Sequence, residues 1–278
     1  MPPIFLLTDF GATDPFVGIM KAVIVSIAPQ TQLIDISHHI PPGNIRHGAI
    51  ALWRTVDYAP PGSVFLIVID PGVGTSRRAV IVQNGQHTFI APDNGVLTFV
   101  LGDDFHAWEI TNPKLTLPSP GATFHGRDIF APAAAHAAAG VPLPEFGTSI
   151  PDLQLLPFPK LESPAPGTLN GQTLHADRFG NLLTSLGIFQ RAGNTLAFSP
   201  WAGNLPQFAV ATSNLRLQLP DGRRIPWAHT FAEIPEGECA VILGSSGLLE
   251  IVANRQSAAQ LLGLGEDTPV TLLSKEIT

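Results

Sequence analysis

A run of six apolar residues, Val64 to Ile69, is followed at once by Asp70-Pro71-Gly72-Val73-Gly74, and this stretch most constrains the fold. An apolar run rich in β-branched and aromatic residues is typical of a strand buried on both faces. Because proline and glycine do not continue such a strand, we expect the chain to turn directly after Asp70. Ligands of open α/β sheets bind beyond the carboxyl ends of the strands, so Asp70 and the following Arg77 are candidates for a functional site. The alternative is a capped turn with a surface ion pair.

Strand and helix patterns alternate along residues 1–150. A first buried strand, Ile4 to Asp9, also ends in a carboxylate. Helical patterns cover residues 16–27, 45–58 and 130–139. A turn signal predicts a further helix from Asn94 onward. This alternation predicts an α/β domain over residues 1–150, with a mostly parallel sheet and helices on both faces.

The composition changes near residue 150. Five prolines crowd residues 151–167, and this density predicts a proline-rich linker. Short β-type segments continue from there to the end of the chain, and Asp221-Gly222 indicates a hairpin turn between two of them. We therefore expect residues 168–278 to form a small C-terminal β-barrel domain.

Charge and composition exclude several classes of function. The net charge of −7 argues against a nucleic-acid or anionic-membrane surface, and the single cysteine excludes an internal disulfide. No apolar run approaches the roughly 18 residues that span a bilayer. Met1-Pro2-Pro3-Ile4 lacks the features of a signal peptide, so we expect a soluble, cytoplasmic protein. Charged residues make up only 13% of the chain, which suggests surfaces covered by self-association.

Polar clusters of the first domain lie at predicted strand and helix ends. They are Asp9 with Asp14 after the first strand, Asp70 with Arg77 after the third, and His125-Gly126-Arg127-Asp128 before the alanine-rich helix. Parallel neighbouring strands deliver their carboxyl ends to one edge, so Asp9, Asp14 and Asp70 are expected to share a cleft. Structural alternatives stay open: Thr13 or Asp14 as a helix cap, Arg127 with Asp128 as an ion pair, and His125 as an ordinary loop histidine.

Two further motifs do not support a ligand site. Asp35 with His38 and His39 suggests a metal, but adjacent histidines on a strand point to opposite faces, so we expect no metal site. Gly72-Val73-Gly74 lacks the other glycines of a dinucleotide fingerprint and the lysine of a P-loop. The second domain adds two polar stretches, Asp177 to Asn181 and Gly244 to Ile251, and a simple hairpin turn remains an alternative for each.

Six short motifs, taken together and in order, resemble the S-adenosylmethionine hydroxide adenosyltransferases, also called S-adenosylmethionine hydrolases, a family related to fluorinase and chlorinase. The motifs are Thr8-Asp9-Phe10-Gly11, Ile69-Asp70-Pro71-Gly72-Val73-Gly74 with Arg77, Ala91-Pro92-Asp93-Asn94-Gly95, Phe124-His125-Gly126-Arg127-Asp128, Asp177-Arg178-Phe179-Gly180-Asn181, and Ser245 through Glu250. Each motif is weak alone, whereas six in this order span nearly the whole chain and are specific. The resemblance implies an N-terminal α/β domain, a C-terminal β-barrel and a homotrimer.

The implied reaction is attack of water on the ribose 5′ carbon of S-adenosyl-L-methionine, which gives adenosine and L-methionine without a cofactor. The resemblance implies that Asp70, Arg77 and His125 orient and activate the water. It places the ribose diol on Asp9 and the methionine amino group near Asp14. The remaining implied substrate contacts are Asn181, Ser245 and Glu250 for adenosine, Phe231 against adenine, and Phe124 as part of the pocket wall.

The residue types suit this chemistry. A sulfonium departs as a neutral thioether, so no general acid is required and the difficulty lies in activating water. Arg77 and His125 can stabilise hydroxide character, while Asp70 orients them or accepts a proton. Fluorinase carries a tyrosine where Asp70 stands, a serine where Gly126 stands, and a long insertion where this chain has only Gln83 to Gln86. All three differences favour water over halide.

Two alternatives remain open, namely a halogenating, chlorinase-like enzyme on the same scaffold and a non-catalytic nucleoside-binding module. The binding module would keep Asp9 and Asn181 but has no use for the Asp70, Arg77 and His125 set. Because the ribose residues lie in the first domain and the adenine residues in the second, the resemblance implies a homotrimer with each site at a boundary between subunits. The expected partner is the small-molecule substrate, with no nucleic acid and no membrane.

Overall fold

The computed structural model describes residues 1–102, 104–118, 121–201, 205–274 and 276–277. The chain divides into two compact units, Met1–Leu156 and Pro157–Thr278, and each has its own hydrophobic core. None of the helices among the described residues is both long and apolar enough to cross a membrane.

The first unit, over its described residues, is built on one seven-stranded sheet with three α-helices. Its strands are β1 (Ile4–Thr8), β2 (Leu33–Ser37), β3 (Val64–Val68), β4 (Ala79–Asn84), β5 (His87–Pro92), β6 (Phe105–Glu109) and β7 (Ser149–Ile150), and its helices are α1 (Phe16–Ile27), α2 (Ile45–Val56) and α3 (Ala131–Ala138). The strand order is β2-β1-β3-β5-β4-β6-β7. The first four strands in this order are parallel, and the other three join antiparallel.

Alternation along the central strand β3 explains why both faces are covered. Val64, Leu66 and Val68 pack in one core with residues of α1 and α3. Phe65 and Ile67 point to the opposite face and pack in a second core with Leu52 of α2. Because every residue of β3 is buried, the strand reads as a continuous apolar run. The predicted α/β fold with helices on both faces is confirmed.

Two local expectations are wrong. No helix begins at Asn94, because its side-chain amide donates to the Ile69 carbonyl at 2.8 Å and the next residue, Gly95, has a φ of +95°. The segment therefore forms turns. Helix α1 is not capped by Thr13 or Asp14, since its N-cap residue is Pro15 and no side chain makes a capping bond.

The second unit is antiparallel and resembles a barrel. Its strands are β8 (Glu162–Ala165), β9 (Thr168–Ala176), β10 (Leu182–Thr184), β11 (Ile188–Ala192), β12 (Thr195–Ser199), β13 (Phe208–Ala211), β14 (Arg216–Gln218), β15 (Arg224–Pro226), β16 (Cys239–Leu243), β17 (Leu249–Ala253), β18 (Pro269–Leu273) and β19 (Glu276–Ile277), with a short helix, α4 (Ala258–Leu262).

The larger sheet of the second unit has the order β15-β14-β18-β9-β10-β17-β16, with β8 paired to β9. Its two ends approach each other where the Ala228 amide, just after β15, donates to the Val241 carbonyl of β16 at 3.0 Å. The sheet is thus nearly closed, and the predicted C-terminal barrel is confirmed. Strands β11, β12, β13 and β19 form a separate four-stranded sheet.

Candidate active site

Asp70, Arg77 and His125 form one hydrogen-bonded set. Asp70 lies two residues after β3, Arg77 two residues before β4, and His125 directly before a π-helical turn that leads into α3. The Arg77 Nε atom donates to both Asp70 oxygens, at 2.9 and 3.1 Å, and Nη2 also contacts Oδ2. The same Nη2 lies 2.7 Å from His125 Nδ1. The ion pair is well buried, with 5% of the Asp70 side chain and 10% of the Arg77 side chain exposed.

The turn between Asp70 and Arg77 is what brings the guanidinium back over the carboxylate. Inside it, the Thr75 hydroxyl donates to the Gly72 carbonyl at 2.7 Å. Gly74 has a φ of +80°, and a Cβ at this position would lie 2.7 Å from the Ala122 carbonyl oxygen. Only glycine allows the turn to pack this closely on the segment that leads to His125.

The contacts of the set assign the tautomer of His125. Arginine has only donors, so Nδ1 of His125 accepts from Arg77 and the proton of the neutral ring is on Nε2. Burial lowers the pKa of His125 below its ordinary 6.5, and the Arg77 charge lowers it further, against weaker opposing effects of Asp70 and Asp128. The ring is therefore neutral at neutral pH and presents an N–H donor.

A small apolar cavity of about 130 Å³ lies against this set. Its lining consists of Phe10, Phe16, Val68, Asp70, Val73, Thr123, Phe124, His125 and Gly126. The three phenyl rings contact one another with centroids 5.3 to 5.9 Å apart. Electrostatic interactions of the polar set are stronger beside this aromatic wall than they would be in water, because less water is available there to screen them.

Asp9 lies close enough to Asp70 for their charges to interact. Its Oδ2 accepts a hydrogen bond from the Gly43 amide at 2.8 Å. Burial raises the pKa of Asp9, and the Asp70 carboxylate raises it further, although the Gly43 amide opposes both effects. Asp14 is exposed in the turn before α1 and is not part of the cavity wall.

Arg127 and Asp128 pair with each other. Arg127 Nη2 donates to Asp128 Oδ2 at 3.0 Å, and the Gly121 amide donates to the same oxygen at 2.8 Å. The hydrogen bond from Arg127, its largest influence, lowers the pKa of Asp128. Among the described residues, no group of three His, Cys, Asp or Glu side chains is arranged to hold a metal ion.

The candidate residues of the second unit lie around strands β10 and β17. Asn181 is 7% exposed and directly precedes β10, where its side-chain amide donates to Asp177 Oδ2 at 2.9 Å. Leu183 of β10 pairs with Glu250 of β17, which is 8% exposed. Ser245 is exposed in the turn between β16 and β17. Phe231 is 44% exposed and begins the 3-10 turn Phe231–Glu233.

The residue patterns alone did not identify several cavity residues. Phe10, Phe16 and Thr123 line the cavity, and the Gly43 amide binds Asp9. An available signal was the position of these aromatic residues beside polar motifs, since Phe10 follows Asp9 and Phe16 follows the Asp14-Pro15 turn. No comparable local signal marks Gly43, whose role depends on a contact 34 residues along the chain.

Comparisons with known proteins agree with this architecture. The family model described as SAM hydroxide adenosyltransferase N-terminal domain matches residues 4–147, and the corresponding C-terminal domain model matches residues 171–271. The (R)-S-adenosyl-L-methionine hydrolase of Thermus thermophilus is 42% identical, over 98% of this chain and 100% of its own. A fluorinase of Actinoplanes sp. is 28% identical, over 98% of this chain and 97% of its own.

A solved structure gives the same result for the fold. The crystal structure of an uncharacterized conserved protein from Thermotoga maritima matches with a TM-score of 0.83 and 33% identity, covering 97% of this chain and 99% of that chain. Since family models cover both units and a relative at 42% identity spans nearly the full length, the chain belongs to the S-adenosylmethionine hydroxide adenosyltransferase family.

Proposed function

We propose that this protein hydrolyses S-adenosyl-L-methionine to adenosine and L-methionine, with water attacking the ribose 5′ carbon. The observation that carries the proposal is the connected Asp70, Arg77 and His125 set at the wall of an aromatic cavity. The hydrolase from Thermus thermophilus is also more similar in sequence than the fluorinase, at 42% against 28% identity.

Product analysis tests the reaction directly. The protein is incubated with S-adenosyl-L-methionine, with and without chloride or fluoride, and the products are separated by chromatography. We expect adenosine and methionine in equal amounts, independent of halide. A 5′-halo-adenosine would identify a halogenating enzyme, and tight adenosine binding without turnover would identify a binding module. Each sulfonium epimer is assayed separately, and we expect turnover of the (R) epimer, for which the Thermus relative is named.

The set activates water by stabilising charge that develops on its oxygen. Arg77 and the Nε2–H of His125 supply donors for hydroxide character, and the bidentate contact with Asp70 holds the guanidinium in place. Hydroxide and sulfonium carry opposite charges that cancel as they react. The aromatic wall does not stabilise the separated charges as water does, so the transition state is favoured over the ground state.

The proton balance of the reaction assigns the base. As the C–O bond forms, the C–S bond breaks, its electron pair stays on sulfur, and the attacking water must lose one proton. Arg77 has no lone pair, and the neutral His125 already uses its Nδ1 lone pair to accept from Arg77. Asp70 alone of the three can take the proton, because a carboxylate has lone pairs beyond those that accept from Arg77.

Substrate binding is assigned to carboxylates of the first unit and polar residues of the second. Asp9 accepts the two hydroxyls of the ribose diol, a role that suits a carboxylate. Asp14 binds the methionine amino group, and Phe124 borders the sulfonium. The proposed adenosine contacts are Asn181, Ser245 and Glu250, with Phe231 against adenine.

The dependence of kcat/KM on pH follows from the two shifted pKa values of the site. His125 must stay neutral, since an imidazolium would direct a second N–H at Arg77, and its pKa lies below 6.5. Asp9 must be ionised, and its pKa lies above 3.8. We therefore expect kcat/KM to be flat at neutral pH and to fall on the acid side, with its first midpoint below 6.5.

Stability should follow the same sign for His125. The unfolded chain takes up the proton at higher pH than the folded chain, so the contribution of the neutral ring is complete above 6.5 and declines as pH falls below it.

His136 is the matched control, because burial also lowers its pKa but it lies on α3 outside the cavity wall. His136→Asn should leave the rate profile unchanged. A first midpoint of kcat/KM above 6.5 would contradict the lowered pKa of His125.

We also propose a homotrimer in which the first unit of one subunit and the second unit of its neighbour complete each site. The low charge content of 13% supports extensive self-association. Exposed aromatic side chains in both units support it as well, namely Phe16 at 41%, Phe179 at 76% and Phe231 at 44%. The cytoplasmic location stays a prediction.

Complementation tests the shared sites. Asp9→Ala and Asn181→Ala subunits are dissociated, mixed in equal amounts and reassembled. If sites are shared in a closed ring, about one quarter of the boundaries carry neither lesion, and that share of the activity returns. The control mixes Asp9→Ala with Asp70→Asn, whose lesions lie in the same unit, and should stay inactive. An assembled but inactive first mixture, or an active wild-type monomer, would contradict the shared-site arrangement.

A further inference from the structure

Four side chains form a connected series beneath the turn that carries Asp9. The Thr8 Oγ1 atom lies 2.9 Å from His38 Nδ1, His38 Nε2 lies 3.0 Å from Asp35 Oδ1, and Asp35 Oδ2 accepts from Lys21 Nζ at 2.7 Å. The series contains Asp35 and His38, to which the proposed hydrolysis reaction assigns no role.

The Asp35 carboxylate accepts from Lys21 and lies against the His38 ring. Burial raises the pKa of Asp35, but Lys21 and His38 together outweigh burial and lower it, so the group is ionised. The Nε2 atom of His38 faces this carboxylate at 3.0 Å, and an ionised carboxylate only accepts. On the other side of the ring, Nδ1 lies against the Thr8 hydroxyl, and Thr8 Oγ1 accepts from the Phe10 amide at 3.3 Å.

His38 contacts the chain on both sides of Asp9. Its carbonyl accepts from the Gly11 amide at 2.7 Å, and its ring contacts the Thr8 side chain. Thr8 is 0% exposed and His38 is 9% exposed, so the contact between their side chains is shielded from water. The chain is therefore held at Thr8 and at Gly11, on either side of Asp9. Asp9 Oδ2 itself accepts from the Gly43 amide.

We propose that His38 is a positioning residue that holds the Asp9 carboxylate in the orientation that binds the ribose diol. This inference rests on the proposed function. The buried contact between Thr8 and His38 carries the effect, whereas the Lys21 end, with 31% of its side chain exposed, contributes little.

A pair of substitutions separates the two ring nitrogens. His38→Asn keeps a polar atom near the Nδ1 position and preserves the contact with Thr8. His38→Gln keeps one near the Nε2 position and loses that contact. His39→Gln is the matched control, because His39 is the exposed neighbour. Calorimetry measures binding of adenosine and of 2′,3′-dideoxyadenosine, which lacks the diol, and steady-state assays give KM and kcat.

We expect wild type to prefer adenosine over the dideoxy compound and His38→Gln to lose this preference by about tenfold, the effect of one buried hydrogen bond. KM should rise by a similar factor with kcat much less affected, because ribose binding is present in both the ground and transition states. His38→Asn and His39→Gln should resemble wild type. A general structural defect would weaken both ligands equally and would not be rescued by asparagine.

Three outcomes would overturn the inference. The first is a His38→Gln variant that keeps the preference. The second is a wild type that turns over substrate but has no preference for the diol, which removes the role of Asp9 and leaves hydrolysis standing. The third is a wild type that neither binds adenosine nor turns over substrate, which removes the proposed function as well. If His38→Gln does not fold, Thr8→Val and Thr8→Ser make the same comparison. We expect the preference for adenosine to be lost only in Thr8→Val. A Thr8→Val variant that keeps the preference would count against the inference.

Discussion

Asp70→Asn should lower kcat by about 10³-fold, within the range that a positioned general base contributes. The amide keeps the shape of the side chain but cannot take the proton that the attacking water loses. It also replaces a charged acceptor of Arg77 by a neutral one. Adenosine affinity should change by less than about threefold, since the proposed role of Asp70 concerns the nucleophile and not the nucleoside. Chromatography of the products and calorimetry with adenosine measure the two quantities.

Asp93→Asn is the matched control for this substitution. Asp93 is also a buried carboxylate beside an arginine, and it accepts from Arg78 Nε at 2.8 Å, but it lies outside the cavity wall. We expect Asp93→Asn to lower the melting temperature and to retain most of the turnover. Equal losses of adenosine affinity and turnover in Asp70→Asn would move Asp70 to a substrate-holding or structural role.

Gly180→Ala should have a large effect on stability, a loss of about 3 kcal/mol or more in the free energy of unfolding. Gly180 has a φ of +83°, and a Cβ there would lie 2.8 Å from the Ser257 Cα and closer still to its Oγ. The substitution also displaces the turn in which Asp177 orients the Asn181 amide. Adenosine affinity should therefore fall together with the melting temperature.

Gly193→Ala separates backbone strain from the clash. Gly193 has a φ of +61°, but a Cβ added there would meet no atom of the described residues within 4 Å beyond its own chain neighbours. Its cost should be limited to the left-handed conformation, about 1 to 2 kcal/mol. Thermal unfolding monitored by circular dichroism compares the two variants. Similar melting temperatures for both would show that the turn moves away from Ser257 without cost.

Local residue patterns were sufficient to predict the central strands and the chemical groups at their ends. The apolar run from Val64 predicts β3, because a strand buried on both faces needs apolar residues throughout. Pro71 and Gly72 prevent the strand from continuing. The order of motifs along the chain indicated the family, since each motif is a local pattern that needs no tertiary information. Alternation of helix and strand patterns was sufficient for the fold class.

The contacts and orientation of these groups depend on how distant parts of the chain pack together. Arg77 and His125 are 48 residues apart, and only their 2.7 Å contact assigns the His125 tautomer, on which the proposed choice of base rests. Asn94 carries a helix-start signal, yet its bond to the Ile69 carbonyl outweighs that local preference. The residue pattern around His38 gave no role for its ring, whereas the structure shows the ring in contact with Thr8. Protonation, tautomer and orientation depend on burial and on partners distant in the chain, and local residue patterns do not contain these quantities.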